Sequence, residues 1–570
     1  MRLTEKIMEN IIIINFSEEL VYPAEIFRKR ILDRSDISVY FNNEFESKFG
    51  ACDRIYNIYL KTDESFEKDY KIETCDFQTI ITGSNSINLI GGIGKFLHNT
   101  KYYKDYIIPC EKNYIFKAEC EYRCVYFANH FYNYYQLASD ETIKTYMEDI
   151  ALWGYNNIAS ILIPTINLFG KDDKNVDWFV KCARRIYDNA KTLGMKYTAL
   201  SLSNGDFKIQ NPDIIAKPLK DPYSSRGSLG ERICPNAPGA MEYIKDLYNW
   251  IFEKLNFEEI DYMVVWPYDE GGCGCEKCYP WVSRGLMKIF NEMKEDVQKR
   301  YPNIKYILAL WRMVDEEIRE WEETVDYLER HPDDFEYIML NNEHKFEQYP
   351  VHNHIPGKKI NFTEISMWCF MPWGGFGANP YPDHIRELLN PCINELQGCM
   401  LYSEGPFEDI NKVVCSYVMD TKDFKYKDIL REYISYEYSH ELIEEITELI
   451  MCLEKIHRDY GYEANKIYDK RLCRLVKELS EEINNNPCLR NNWKWRMLYI
   501  RAQTEESRMA YLTKNDINND YWPEIVKNAD KIFTERELDL LRELRDIYEF
   551  TGKYTGTDTD THAWLAPPVK

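Results

Sequence analysis

The chain is poor in positive charge. Its 71 Lys and Arg face 94 Asp and Glu, a formal net charge of -23 over 570 residues. That balance excludes nucleic acid and anionic membrane surfaces as expected partners, because both repel an acidic surface. No stretch is long and apolar enough to cross a bilayer. The N-terminus offers only Ile11 to Ile14 as an apolar core, flanked by Glu residues, so no secretory leader is expected. Internal repeats and long linkers are absent. The 17 Cys are odd in number, which excludes a fully paired disulfide scaffold. Without an export signal they predict a cytoplasmic protein whose thiols are buried or bound to metal.

What is present is a large supply of core material: 45% hydrophobic residues and 15% aromatics, with 44 Tyr and 13 Trp. The length allows two to four domains. Residues 1–115 read as a small α/β domain, with strands at 11–15, 37–41 and 56–61 and a helix at 23–32 that carries Pro near its first turn. The segment TIITGSNSINLIGGIGKFLHNT reads as two short strands about a Gly-Ser-Asn-Ser turn, then Gly91, Gly92 and Gly94 entering a helix. Gly94-Lys95 is not a phosphate loop, since Phe96 stands where Ser or Thr is needed. The glycines are read as allowing close packing of the helix on the sheet.

Residues 116–424 alternate strand and helix. Strands are predicted at 123–129, 157–164, 196–203, 262–268, 305–311, 335–341, 358–364 and 398–403. Between them Ile143, Met147, Ile150 and Trp153, and again Ile244, Leu247, Ile251 and Leu255, recur at helical spacing. Eight such units predict an α/β fold built on a (β/α)8 TIM barrel. Residues 425–570 are rich in helix formers and read as a helical C-terminal domain, in which Trp493 and Trp495 are core packing or one side of a mouth.

The stretch DYMVVWPYDEGGCGCEKCYP, residues 261–280, organises the rest. A buried strand runs into Asp269 and Glu270, and acids at the carboxyl end of a barrel strand stand on the catalytic face. Adjacent acids leaving a strand point different ways, so one can be a protonated acid while the other stays ionised. The other strand ends bring Asn129 and His130, Asn204 and Asp206, Trp311 and Arg312, Asn341, Asn342 and His344, Glu364 and Trp368, and Tyr402 and Glu404. Each has an ordinary structural explanation when taken singly. Together, carboxylates, amides and indoles suit a sugar ring. Glu270, Asp269 and Glu404 are the candidate catalytic residues. His130, Asn129, Trp311, Arg312, Asn342, Glu364, Trp368 and Tyr402 are candidate substrate contacts. Cys273, Cys275 and Cys278 supply three thiols where a zinc site needs four ligands, and Cys234 in CPNAP is the expected fourth. A structural zinc is the expected occupant, and no cofactor is expected for catalysis.

These segments resemble known carbohydrate-active enzymes. ITGSNSINLIGGIGKFLHN is similar to the small domain preceding the barrel in family 20 β-hexosaminidases and family 67 α-glucuronidases. YFANHFYNYYQLASDETIKTYMEDIALWGYN resembles a first barrel unit, and CPNAP with DEGGCGCEKC resembles glycoside hydrolase family 163, endo-β-N-acetylglucosaminidases acting on N-glycans. The resemblance covers about residues 75–410. By likeness to family 20, Glu270 is the general acid/base and Asp269 orients a 2-acetamido group that attacks the anomeric carbon. Asp269-Glu270 departs from the Asn-Asp type pair of family 163, which points to a different substrate. The expected activity is hydrolysis of a β-linked N-acetylhexosamine in an oligosaccharide. The alternatives are an α-glucuronidase-like hydrolase using Arg312 to read a uronate, and a non-catalytic carbohydrate-binding protein. Assembly into a homo-oligomer is compatible with this composition.

Overall fold

A computed structural model of the chain describes residues 11–44, 55–130, 134–219, 232–267, 272–311, 313, 318–342, 355–364, 378, 380–403, 405, 408–423, 425–460, 470–485 and 492–515. The first of these form a six-stranded sheet. Its strands are β1 (Ile11–Asn15), β2 (Ser38–Phe41), β3 (Ile55–Thr62), β4 (Tyr70–Cys75) and β5 (Gln78–Gly83). After a short ribbon of β6 (Lys101–Tyr102) and β7 (Ile107–Ile108), β8 (Tyr114–Phe116) completes the order β2-β1-β3-β5-β4-β8. The run Ile11 to Ile14 is buried throughout because β1 is an inner strand covered on both faces.

The second short strand expected after β5 does not form. The residues after the turn open a helix, Ser86–His98, because the Asn85 side chain accepts the Asn88 N–H at 3.0 Å and caps it. Gly91, Gly92 and Gly94 lie inside this helix. A Cβ on Gly94 would sit 1.9 Å from the Leu152 carbonyl oxygen, and one on Gly92 would sit 2.9 Å from Ile81. Their missing side chains let the helix lie on the sheet and on the end of the helix Asp140–Leu152. Gly94→Ala is therefore expected to destabilise the chain by about 1–3 kcal/mol through overpacking, read as a lower urea midpoint at unchanged slope.

All eight expected barrel strands form. They are β9 (Tyr122–Phe127), β10 (Asn157–Ile161), β11 (Lys196–Leu202), β12 (Tyr262–Val265), β13 (Lys305–Ala309), β14 (Tyr337–Asn342), β15 (Lys359–Glu364) and β16 (Leu396–Ser403). They pair in parallel and close in the order β10-β11-β12-β13-β14-β15-β16-β9, which makes the fold a (β/α)8 barrel. Alternate residues fill the interior. At its base Tyr122, Tyr262 and Tyr337 meet with ring centroids 5.4–5.9 Å apart, and the Tyr122 hydroxyl lies 3.0 Å from Thr198 Oγ1.

The helices Tyr426–Glu437, Ile443–Tyr460, Lys470–Asn485 and Trp493–Asn515 follow the barrel. Trp495 is fully buried against Tyr438 and Tyr499, whereas Trp493 is partly exposed. Where the small sheet, the barrel and the helix 426–437 meet, a cavity of about 230 Å³ is walled by Arg123, Asp420, Lys95, His98 and Glu432 among others. Lys95 pairs with Glu432 at 2.6 Å, and His98 stacks on Trp153 with centroids 3.5 Å apart. Asp420 lies 3.3 Å from Arg123 Nε, but that N–H is directed to the Gly154 carbonyl at 2.8 Å. Burial therefore outweighs the ion pair and pushes the Asp420 carboxyl up to about 7. The folded state holds this proton above the unfolded carboxyl pKa of about 3.9, so stability falls as pH rises from about 4 to about 7. Asp420→Asn is expected to remove that slope, as measured by denaturant midpoints at pH 5 and pH 8.

Candidate active site

The carboxyl ends of the barrel strands form the rim. Asp269, Glu270, Arg312, Trp368 and Glu404 lie outside the described residues, as do the side chains of Asn342 and Glu364. The backbones of the last two close β14 and β15, where Asn342 pairs with Thr363 and Glu364 with Tyr402. Along the chain, Asp269 and Glu270 follow the end of β12, and Glu404 follows the last residue of β16.

Beneath the rim lies an aromatic floor. Trp266 and Trp311 are 5.5 Å apart between centroids, and each meets Phe362 edge-on at 5.1 and 5.2 Å. Phe362 approaches Tyr402 at 6.0 Å, and Tyr402 meets Tyr126 at 5.4 Å. These rings top the inward-facing series of their strands, such as Tyr122, Cys124 and Tyr126 on β9. Trp311 and Tyr402 were expected here. Trp266, Phe362 and Tyr126 were not, because they sit inside apolar runs that read as core, and only period-two counting from the strand starts singles them out.

Polar groups ring the floor. The Tyr126 hydroxyl lies 3.1 Å from His130 Nδ1, and Asn167 donates to the His130 carbonyl at 2.7 Å, so the imidazole is held at the end of β9. Asn129 instead bridges to β10: its carboxamide donates to the Ile161 carbonyl at 3.1 Å and accepts the Ile161 N–H at 2.9 Å. It fixes strand ends where a sugar contact was expected. Asn341 shares the inward face with Tyr337 and Met339. It is buried, and neither carboxamide atom has a hydrogen-bond partner among the described residues. A buried amide in that state is a ready contact for a hydroxyl or acetamido group.

Asp206, beyond β11, is buried and accepts hydrogen bonds at 2.8 Å from both the Tyr243 hydroxyl and the Phe207 N–H. Burial raises its pKa despite these bonds and nearby Arg232. Arg232, a buried cation that the sequence reading missed, lines a small cavity of about 50 Å³ with His130 and Ser203. Asn204 ties this wall to the cysteine turn, donating to the Ile233 carbonyl at 2.9 Å and the Gly272 carbonyl at 3.3 Å. The structure brings Cys234, Cys273, Cys275 and Cys278 together, every sulfur within 4.8 Å of the others.

No protein-family model and no curated protein matches the chain. Its likeness to solved structures is broad in fold and slight in sequence. A family 115 4-O-methyl-α-glucuronidase, with specificity for decorated arabinogalactans, superposes with a TM-score of 0.57 at 10% identity over 98% of this chain and 78% of that one. A family 138 enzyme targeting pectin rhamnogalacturonan II gives 0.52 at 10% identity over 94% and 74%. A family 89 glycoside hydrolase from Clostridium perfringens, in complex with its substrate GlcNAc-α-1,4-galactose, gives 0.56 at 12% identity over 93% and 66%. At such identities the likeness shows the fold. None of these three belongs to family 163, so that resemblance remains with the cysteine-bearing segment.

Proposed function

We propose that the chain is a glycoside hydrolase that cleaves a β-linked N-acetylhexosamine from an oligosaccharide by carboxylate general acid/base catalysis. The observation that carries this reading is the floor of Trp266, Trp311, Phe362 and Tyr402 at the carboxyl end of the barrel, beside strand ends that continue into Glu270 and Glu404. Planar rings offer the apolar face of a sugar a place to stack, and the Asn341 amide, without a partner among the described residues, offers it a hydrogen bond. The targets of the family 115, 138 and 89 enzymes, all saccharides, support the class.

In this mechanism Glu270 gives its proton to the glycosidic oxygen as the bond from that oxygen to the anomeric carbon breaks. Its carboxylate then takes a proton from the water that completes hydrolysis. The charge developing at the anomeric carbon is met in one of two ways. The substrate's own 2-acetamido oxygen attacks, held by Asp269. Otherwise Glu404 acts from beyond β16, which lies across the closed barrel from β12. A second reading is hydrolysis of an α-linked glucuronide, with Arg312, next to Trp311 in the chain, as the cation suited to a uronate.

The test is a panel of 4-methylumbelliferyl glycosides: β-N-acetylglucosaminide, α-N-acetylglucosaminide and α-glucuronide. An N-glycan is added and every arm is repeated with Glu270→Gln. Release from the β-N-acetylglucosaminide or the glycan is expected, with Glu270→Gln cutting turnover of the glycan far more than that of the aryl glycoside. Release from the glucuronide alone selects the second reading. Glycan binding by calorimetry with no turnover anywhere makes the chain a binding protein instead.

A further inference from the structure

Cys234 ends an arm that begins with the isolated bridge between Arg232 and Gly205, whereas Cys273, Cys275 and Cys278 sit in the turn after β12. Although 41 residues separate Cys234 from Cys275, their sulfurs are 3.8 Å apart, and Cys234 lies 3.7 Å from Cys278. A disulfide needs about 2.05 Å, so these are not bonded pairs. A tetrahedron of thiolates about 2.3 Å from a central zinc ion has edges of about 3.8 Å. Two of the six sulfur pairs thus stand at the spacing that a metal ion sets, and the rest lie within 4.8 Å.

The surroundings suit thiolates. The Lys217 N–H donates to Cys273 Sγ at 3.3 Å, and the Asn236 carboxamide donates to Cys278 Sγ at 3.2 Å. Donors on ligating sulfurs spread their charge and fix their direction. Cys273 and Cys278 are fully buried, Cys234 nearly so, and Cys275 half-buried. Two glycines shape the turn. Gly272 takes a left-handed φ of +95° under the Trp281 ring, and a Cβ on Gly274 would lie 2.4 Å from the Leu219 backbone. Gly274 N–H also donates to the Lys217 carbonyl at 2.6 Å, stitching the two segments together beside the sulfurs.

We infer that Cys234, Cys273, Cys275 and Cys278 bind one zinc ion as a closed tetrathiolate site. With four thiolate ligands no coordination position is left for water or substrate, so the ion is structural. It clips the arm at Cys234 to the turn that begins just after Asp269 and Glu270, and thereby holds the carboxyl end of the loop carrying both acids.

The full-length protein, purified without added metal, is expected to contain one zinc per chain by mass spectrometry. A mercurial that caps thiols releases it to a chromogenic chelator. Cobalt exchanged into the site should give the intense visible bands of tetrahedral thiolate coordination. Cys273→Ser and Cys278→Ser should lower the zinc to background, whereas Cys75→Ser, at an exposed position, should leave it unchanged. The wild-type stoichiometry and the mercurial release decide the matter if the Ser variants fail to fold. Metal-free protein with all four thiols open to native alkylation would overturn the inference. So would disulfides among them, or iron in place of zinc. None of these readouts depends on sugar hydrolysis, so this inference and the proposed activity fail separately.

Discussion

Glu270→Gln is expected to lower kcat on a glycan by about 10²–10⁴-fold, with a much smaller change in KM, because an amide of the same shape has no proton to give the leaving group. The loss should depend on the leaving group. An aryl glycoside departs as a stabilised phenolate and needs little protonation, so its turnover should fall far less than that of an oligosaccharide. The basic limb of the pH profile should also vanish, since that limb reports loss of the catalytic proton. Turnover of the natural substrate at the wild-type rate in this variant would remove Glu270 from the chemistry. The same comparison made at Glu404 separates the two schemes: strong loss there supports a second carboxylate, whereas loss confined to Asp269 variants supports the 2-acetamido route.

The second large effect lies far from that chemistry, in a buried charge cluster. Lys494, on the last described helix, sits 2.9 Å from Glu437, 3.3 Å from Asp409 and 3.4 Å from Asp149. Those carboxylates belong to three different helices, and all four groups are largely buried. Arg30 from the small sheet's first helix reaches Asp149 at 2.9 Å, and Arg34 reaches Glu437 at 3.1 Å. The cluster therefore joins the N-terminal sheet, the barrel helices and the C-terminal helices. Lys494→Ala leaves several negative charges facing one another out of water, with an expected cost of about 3–5 kcal/mol in a denaturant titration. Lys494→Arg should recover part of it. The cations hold Asp149 down to about 2, against an unfolded value of about 3.9. Its contribution is complete above that unfolded value and is lost as pH falls from about 4 towards 2, so the Lys494→Ala deficit should shrink over that interval.

Most of the architecture was legible because parallel barrel strands are buried on both faces and read as continuous apolar runs; each of the eight lies where such a run predicts it. Among the described residues INLI was misplaced, and the sheet strands β4 and β8 were not predicted. In INLI three apolar residues in four fit either period, and the deciding feature was the Asn85 cap, two residues upstream. Cys234 was legible as the companion of the later cysteines because thiol chemistry asks for a fourth ligand. Asn129 was not legible as a bridge: its partner is the Ile161 backbone, set by the β9–β10 register, which no single segment encodes. Trp266 and Phe362 were hidden for the opposite reason. They belong to runs whose apolar character is fully explained by burial, and only closure of the barrel brings their rings together beneath the rim.

The three tyrosines at the foot of the barrel carry a kinetic consequence. Tyr122, Tyr262 and Tyr337 pack against one another, so among the described residues the foot of the barrel is filled by side chains. On the proposed hydrolase reading, substrate enters and a cleaved fragment leaves by the opposite, carboxyl end of the strands.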